Sequence, residues 1–450
     1  MRAALSGGSL RAFVLAASLG VVTCGAHQAG ARDSPAVIRD TEIENDIRTL
    51  ASPIWRAAGL SPGDVGVYLV NDAQINSFVA GGQAIFVNTG LIERAENPNQ
   101  LIGVIAHETG HITGGHIFSS KEAMRNASIE SIIAMAFGAA AAVAGHSGAP
   151  LLGAMGVGQR AFLRFSIAQE ATADHAALNF LDRSCLSARG LLKFFEILQS
   201  NELLSGAGGD QWASTHPLTA QRIEYVRDHV DHARCSDAPD RPGSAELMHL
   251  IQVKLHAFLD PPSTTLAAYP VSDTSELARY ARATAYYRVP DLAKALPAID
   301  GLIRDFPNNP YYRELKGQML FENGRNREAI GPYEAAVRLA PSAPLLRIAL
   351  SQTYVETKDP VLNRRAIAYL NDASREEARD SDIWHFLAVA YGRDNQMGMA
   401  ALSLAEGALA DGRKKDAMQQ AIRAKQLLTR NTAGYARAED IHREAEQLDD

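Results

Sequence analysis

The 450-residue sequence predicts an α+β domain, mostly helical around a small sheet, followed by an all-α solenoid. Two observations carry this. Between residues 65 and 87, short apolar runs are separated by glycine and asparagine turn signals, the pattern of strands, and helix-like segments flank them. From about residue 273 the chain repeats with a 34-residue period, the mark of stacked helix pairs. Hydrophobic residues make up 46% and charged residues 21%, ordinary for a globular chain long enough for two or three domains.

The N-terminus begins Met1-Arg2 and carries Arg11, then an apolar stretch Ala12 to Val22, then Ala29-Gly30-Ala31. A basic start, a short apolar core and an A-x-A site read as a secretory signal peptide, residues 1–31, and imply export to the periplasm. The apolar core is too short for a membrane span, which needs about 20 residues. Lipidation at Cys24 is the alternative, although Val21-Val22-Thr23 lacks the small residue expected before a lipoprotein cysteine. Cleavage after Ala31 removes two arginines and no acids, so the formal charge of −7 becomes −9. That balance argues against nucleic acid as a partner. It also leaves two cysteines, Cys185 and Cys235, for which an oxidising compartment predicts one disulfide.

Residues 38 to 60 read as a helix and Val65 to Val70 as a strand. Ile75 to Phe78 and Ala84 to Val87 flank Gly81-Gly82 as a hairpin. Ala84 to Val87 is expected near an exposed sheet edge, where an extended peptide can be held by main-chain hydrogen bonds. The apolar run Leu101 to Ala106 then leads into His107-Glu108-Thr109-Gly110-His111 on a helix. Residues four apart share a helix face, so both imidazoles can reach one zinc at about 2.0–2.1 Å. Glu108 is placed to act on water as a base rather than to ligate. Gly110 costs a helix roughly 1 kcal/mol against alanine, which favours a close approach by something at that position.

A catalytic zinc needs a third protein ligand. The metzincin pattern fails: Gly114 fits, but residue 117 is Ile. His116 is one position short and would point to the far side of a continuing helix. Glu170 is the better candidate. It and Asp174 stand four apart on a helix from Ile167 to Leu181, so one carboxylate can bind zinc while the other fixes the tautomer of a ligating His. A solvated acidic pair is the plain alternative.

Together His107-Glu108-x-x-His111, Glu170-x-x-x-Asp174 and Ser214-Thr215-His216-Pro217 with Arg222 resemble the HtpX and CAAX-prenyl-endopeptidase family of zinc peptidases. Val67 to Asp72, Ile75 to Phe78 and Gly81 to Gly90 share the likeness. Roughly residues 38 to 260 are covered, and the chain is most similar to secreted members with a C-terminal repeat domain. Where such proteins often carry Ser-Arg before the third ligand, Ser166 here precedes Ile167. The resemblance implies one zinc per chain held by His107, His111 and Glu170, Glu108 as base and Asp174 behind a ligand. His216, on a loop because the residue before proline avoids the α region, would donate to the oxyanion or close onto the metal. Arg222 would lie near the scissile group, its alternative being an ordinary ion pair.

Residues 131 to 160 are rich in Ala, Gly and Met and are broken by Gly145, Gly148 and Pro150. They read as a loop or broken helices beside the cleft, a lid or a peripheral membrane contact. A turn-rich break at 236–244, a helix from Ala245 to Leu259 and a second break at 260–263 close a peptidase domain spanning 32–262. In the repeat domain, 273–450, Pro307 and Pro341, Ala295 and Ala329, and Ile299 and Tyr333 are each 34 apart. Ala283, Gly317 and Ser351, and Tyr286, Leu320 and Tyr354, keep the same spacing. These resemble tetratricopeptide repeats, with further units at Trp384 and Gly412. Such arrays hold partner proteins or extended segments.

The expectation is therefore an exported zinc endopeptidase on a protein-binding array. The resemblance implies that it acts on misfolded or stalled β-barrel precursors alongside the outer-membrane assembly machinery. A chaperone or binding module with a structural or silenced zinc site is the alternative.

Overall fold

The computed structural model describes residues 36–116, 157–205, 216–377 and 380–448. The expected signal peptide, Cys24, residues 131–156 and Ser214-Thr215 lie outside them. Strand β1 (Ala36–Ile38) precedes helix α1 (Thr41–Ala57), which is capped by the Asp40 side chain. The expected helix thus starts three residues late, behind a strand too short to signal itself. Strands β2 (Gly66–Asn71), β3 (Ser77–Ala80) and β4 (Ala84–Asn88) follow. The sheet order is β1-β2-β4-β3. β3 and β4 form the expected hairpin, turning at Gly81 and Gly82, both with positive φ. β4, however, pairs parallel with β2 on its other side, so Ala84–Asn88 is an inner strand. Among the described residues the edge strand near the site is β3, one strand further out than Ala84–Asn88.

After the short α2 (Thr89–Arg94) comes α3 (Pro98–Gly114), with Asn97 as N-cap and Pro98 in its first turn. It is buried from end to end of its apolar run, which explains a helix with little amphipathic character. Around it pack α4 (Val157–Ser184), α5 (Arg189–Ser205), α6 (Ala220–His232) and α7 (Ser244–Leu259). Their core joins Ile43, Trp55, Leu69, Val87, Ile102, Ile105, Leu178, Phe195 and Ile251. A disulfide links Cys185, just past α4, to Cys235, just past α6, as the cysteine pattern predicted. Among the described residues no helix is long and apolar enough to cross a membrane.

After α8 (Pro262–Ala268), ten helices run from α9 (Glu276–Arg288) to α18 (Ala433–Glu446). Successive pairs begin at Glu276, Pro310 and Pro344, 34 apart, then at Ser381 and Lys414, so a small insertion precedes the unit that contains Trp384. Close helix pairing explains the small residues: a Cβ at Gly317 would lie 2.7 Å from the Tyr333 ring.

The repeats pack directly on the peptidase core through Val253 and Ala257 of α7 with Ala281. Beside them a buried polar cluster crosses between the two parts. Lys254 Nζ lies 2.8 Å from Asp40 and 2.9 Å from Glu42, and Thr41 donates to Glu314 at 3.1 Å. Arg39 reaches Glu377 at 3.1 Å.

Candidate metal and catalytic site

Helices α3 and α4 cross where α3 has no side chain. A Cβ at Gly110 would fall 2.6 Å from the Ala173 carbonyl oxygen, so α4's backbone occupies that space. Two carboxylates flanking Ala173, Glu170 and Asp174, are thereby set against the histidines. His107 Nε2 and His111 Nε2 converge to 3.2 Å. Glu170 presents Oε2 at 3.3 Å from the first and Oε1 at 3.3 Å from the second. Ligands about 2.0–2.1 Å from a tetrahedral ion stand about 3.3–3.4 Å apart. Each histidine nitrogen therefore stands about a tetrahedron's edge from the other and from one of the two Glu170 oxygens, and a zinc-type N,N,O donor set fits them. Together with His216, these residues are the four that the structure groups as potential metal ligands, all buried.

The supporting contacts divide by residue. Asp174 Oδ1 lies 2.9 Å from His107 Nδ1. Arg222 grips both Asp174 oxygens, Nε at 2.6 Å and Nη2 at 2.9 Å, and its Nη1 lies 2.9 Å from Glu170. The same Nη1 donates to the Pro217 carbonyl at 2.8 Å, and the guanidinium lies over the Phe195 ring. Arg222 is thus turned onto the carboxylates and the His-Pro loop.

Glu108 is fully buried. Its Oε1 accepts from Ser77 Oγ at 2.6 Å, and its Oε2 has no partner among the described residues. His216 stands opposite: Nδ1 lies 3.2 Å from both Glu170 oxygens, and Nε2 is 3.2 Å from the Ser77 carbonyl and 3.7 Å from Glu108. It therefore covers a main-chain acceptor on the β3 edge. Ser77 was not singled out by sequence, because a serine in a strand carries no signal until its neighbours are known.

His116 needs correcting. The helix does not continue past it: Gly115 adopts the left-handed conformation, and His116 folds back to place Nδ1 3.3 Å from His111 Nδ1.

Electrostatics keep the acids ionised. Burial pushes the Glu170 carboxyl up, but its electrostatic interaction with His216 and hydrogen bonds with His107, His111 and His216 hold it far below its usual range. Burial likewise opposes Asp174, whose pKa is nevertheless lowered by Arg222 and His107. Burial lowers His107, yet hydrogen bonding to Asp174 and Glu170, with their charge, raises it to about 9. Burial dominates at His111, which is lowered.

Two buried histidines and a glutamate grouped for a metal, beside a second helical glutamate that meets the sheet edge through Ser77, are the donor set of a metallopeptidase. Residues 38–230 match the model of peptidase family M48. Residues 280–344 match a tetratricopeptide-repeat model. The chain is 24% identical over 396 residues to the beta-barrel assembly-enhancing protease of Escherichia coli O157:H7, covering 86% of this chain and 80% of the relative. Its likeness to the protein of that name from Yersinia pestis is 23% over 397 residues, 83% and 78% of the two chains. The metalloprotease LoiP of Escherichia coli K12 is 28% identical over 200 residues, 44% of this chain and 75% of that one.

Proposed function

We propose that this chain is an exported zinc-dependent endopeptidase. In this reading it hydrolyses peptide bonds in misfolded or stalled proteins during outer-membrane protein assembly and quality control. The observation that carries the reading is the edge-like spacing of His107, His111 and Glu170 beside a buried Glu108 with one unpartnered oxygen. The named relatives and the repeat array support the substrate class, stalled β-barrel precursors, and docking of assembly partners on the repeats. The signal-like residues 1–31 support a periplasmic location, with lipidation at Cys24 the weaker alternative.

His107, His111 and Glu170 would hold one zinc, which when bound supplies Lewis acidity to the scissile carbonyl. Glu108 takes a proton from the attacking water through its unpartnered oxygen and passes it to the leaving amine. Asp174 keeps His107's proton on Nδ1, and Arg222 holds Asp174 and the Pro217 loop in place. A substrate strand adds to β3 by main-chain hydrogen bonds, which requires His216 to release the Ser77 carbonyl. In the arrangement described, His216 closes the site.

His216 within the group of four also favours a second reading, a closed four-ligand site on a binding module. Zinc content and cleavage of an unfolded protein by wild type, Glu108→Gln and His216→Ala separate the two. The peptidase reading expects one zinc, loss of cleavage by about 10²–10⁴-fold in Glu108→Gln, and faster cleavage in His216→Ala. Zinc-loaded wild type without activity, with His216→Ala equally inert, would establish the binding module instead.

A further inference from the structure

We propose that His116 is a positioning residue: its Nδ1 accepts a hydrogen bond from His111 Nδ1–H and fixes the tautomer in which His111 offers Nε2 to the metal. The inference rests on the reading of His111 as a metal ligand and adds a residue that neither the motif nor the matched family description assigns.

An imidazole that ligates through Nε2 must keep its proton on Nδ1, and an acceptor there decides both tautomer and ring angle. For His107 that acceptor is Asp174, 2.9 Å from Nδ1. For His111 the atom facing Nδ1 is His116 Nδ1, at 3.3 Å, with the two rings edge to face at 74°. Two Nδ1 atoms meeting at that distance require one to donate and the other to accept. His111 must donate if its Nε2 is to bind metal. His116 then carries its own proton on Nε2 and accepts through a lone pair.

The local backbone is built to place that ring. Gly115 has φ +66°, and the His116 N–H donates back to the His111 carbonyl at 3.0 Å, a helix-ending closure that returns the chain over its last turn. Gly115 alone accounts for the turn. Gly114 requires a different reason, since it is the last helical residue and its φ is not positive. A Cβ there would come within 2.7 Å of both Cε1 and Nε2 of His116. The space an ordinary side chain would fill is taken by the imidazole that faces His111. One glycine turns the chain and the other admits the ring.

The test uses the full mature chain stripped of metal and then titrated with zinc against a competing chromophoric chelator. His116→Phe keeps a ring but no acceptor, His116→Gln restores a carbonyl acceptor, and Gly114→Ala displaces the ring while favouring the helix. Zinc affinity is expected to fall about 10–100-fold in His116→Phe and Gly114→Ala and to recover most of that in His116→Gln. The metal-free melting temperature of the Phe and Gln variants should be the same. A His116→Phe chain that binds zinc like wild type, or a Gln variant as weak as Phe, overturns the proposal. His111→Ala is the control. Undiminished affinity there would remove the ligand reading and this inference with it. Lost affinity there, beside a wild-type-like His116→Phe, would remove this inference alone.

Discussion

Replacing Gly110 by alanine tests how the metal donors are brought together. Helix propensity alone favours the change by about 1 kcal/mol. The α3–α4 contact opposes it, because the new Cβ would meet Ala173 O at 2.6 Å, its Cα at 2.9 Å and its carbonyl carbon at 3.1 Å. These are backbone atoms in a buried helix and cannot rotate aside. Restoring ordinary contact requires α4 to retreat by about 0.8 Å, since such contacts start at 3.4 Å. Glu170 and Asp174 lie within a turn of Ala173 and move with it. Glu170's oxygens would then leave their 3.3 Å positions for about 4 Å, too wide for a tetrahedral edge. Displacements near 1 Å cost about 10²-fold in rate, so cleavage should fall by that order and zinc affinity by about 10–100-fold. Chelator competition, initial rates on an unfolded protein and a metal-free melting curve read the three effects separately. A Gly110→Ala chain with wild-type zinc affinity and rate would refute the argument that this contact sets the ligand spacing.

Other perturbations probe the supports. Reducing the Cys185–Cys235 bond reopens a span of 50 residues, worth about 4 kcal/mol in the chain-entropy model. The urea midpoint of the peptidase domain should drop, and an unchanged midpoint would count against it. Arg222→Lys replaces a two-pronged grip on Asp174 with a point charge and should weaken zinc binding about 10-fold, read by the same chelator competition. Burial, with Asp40 and Glu42 nearby, raises Glu314 to about 8 against the opposing pull of Lys254, and burial raises Asp46 to about 8 as well. The folded chain thus keeps protons that the unfolded chain releases near pH 4, so stability should fall as pH climbs from there to about 8. Glu314→Gln should flatten the melting temperature between pH 6 and 9, and an unaltered slope would contradict this.

Features set by local spacing were readable from sequence. The i, i+4 histidines, the Glu170–Asp174 pair, the hairpin glycines and the 34-residue period each appear in the fold. Gly110's cost in a helix correctly signalled a close neighbour, although the neighbour proved to be α4's backbone. What sequence could not supply was strand order: β4 pairs with β2 from the far side of the hairpin, which leaves β3 as the edge strand near the site. Ser77 and His116 were missed for a related reason. Each acts through a partner from another element or across a helix end, and nothing in their immediate sequence names that partner. Arg222 was found by resemblance, but its contacts with Asp174 and Glu170 were not readable, because those partners lie about 50 residues away in the chain.

The buried polar contacts that join Asp40, Thr41, Glu42 and Lys254 to Glu314 make the repeat array a fixed mount rather than a tethered accessory. A protein captured on such a mount would meet the His107–His111 helix at an effective concentration set by its own slack, since no linker contributes any. Extended chain supplies at most about 3.4 Å of reach per residue. Folded clients, having no slack, would be held and left intact, while stalled ones would have enough loose chain to be cut. Selection by reach would then follow from the mounting alone, without any sequence being read at the cleft.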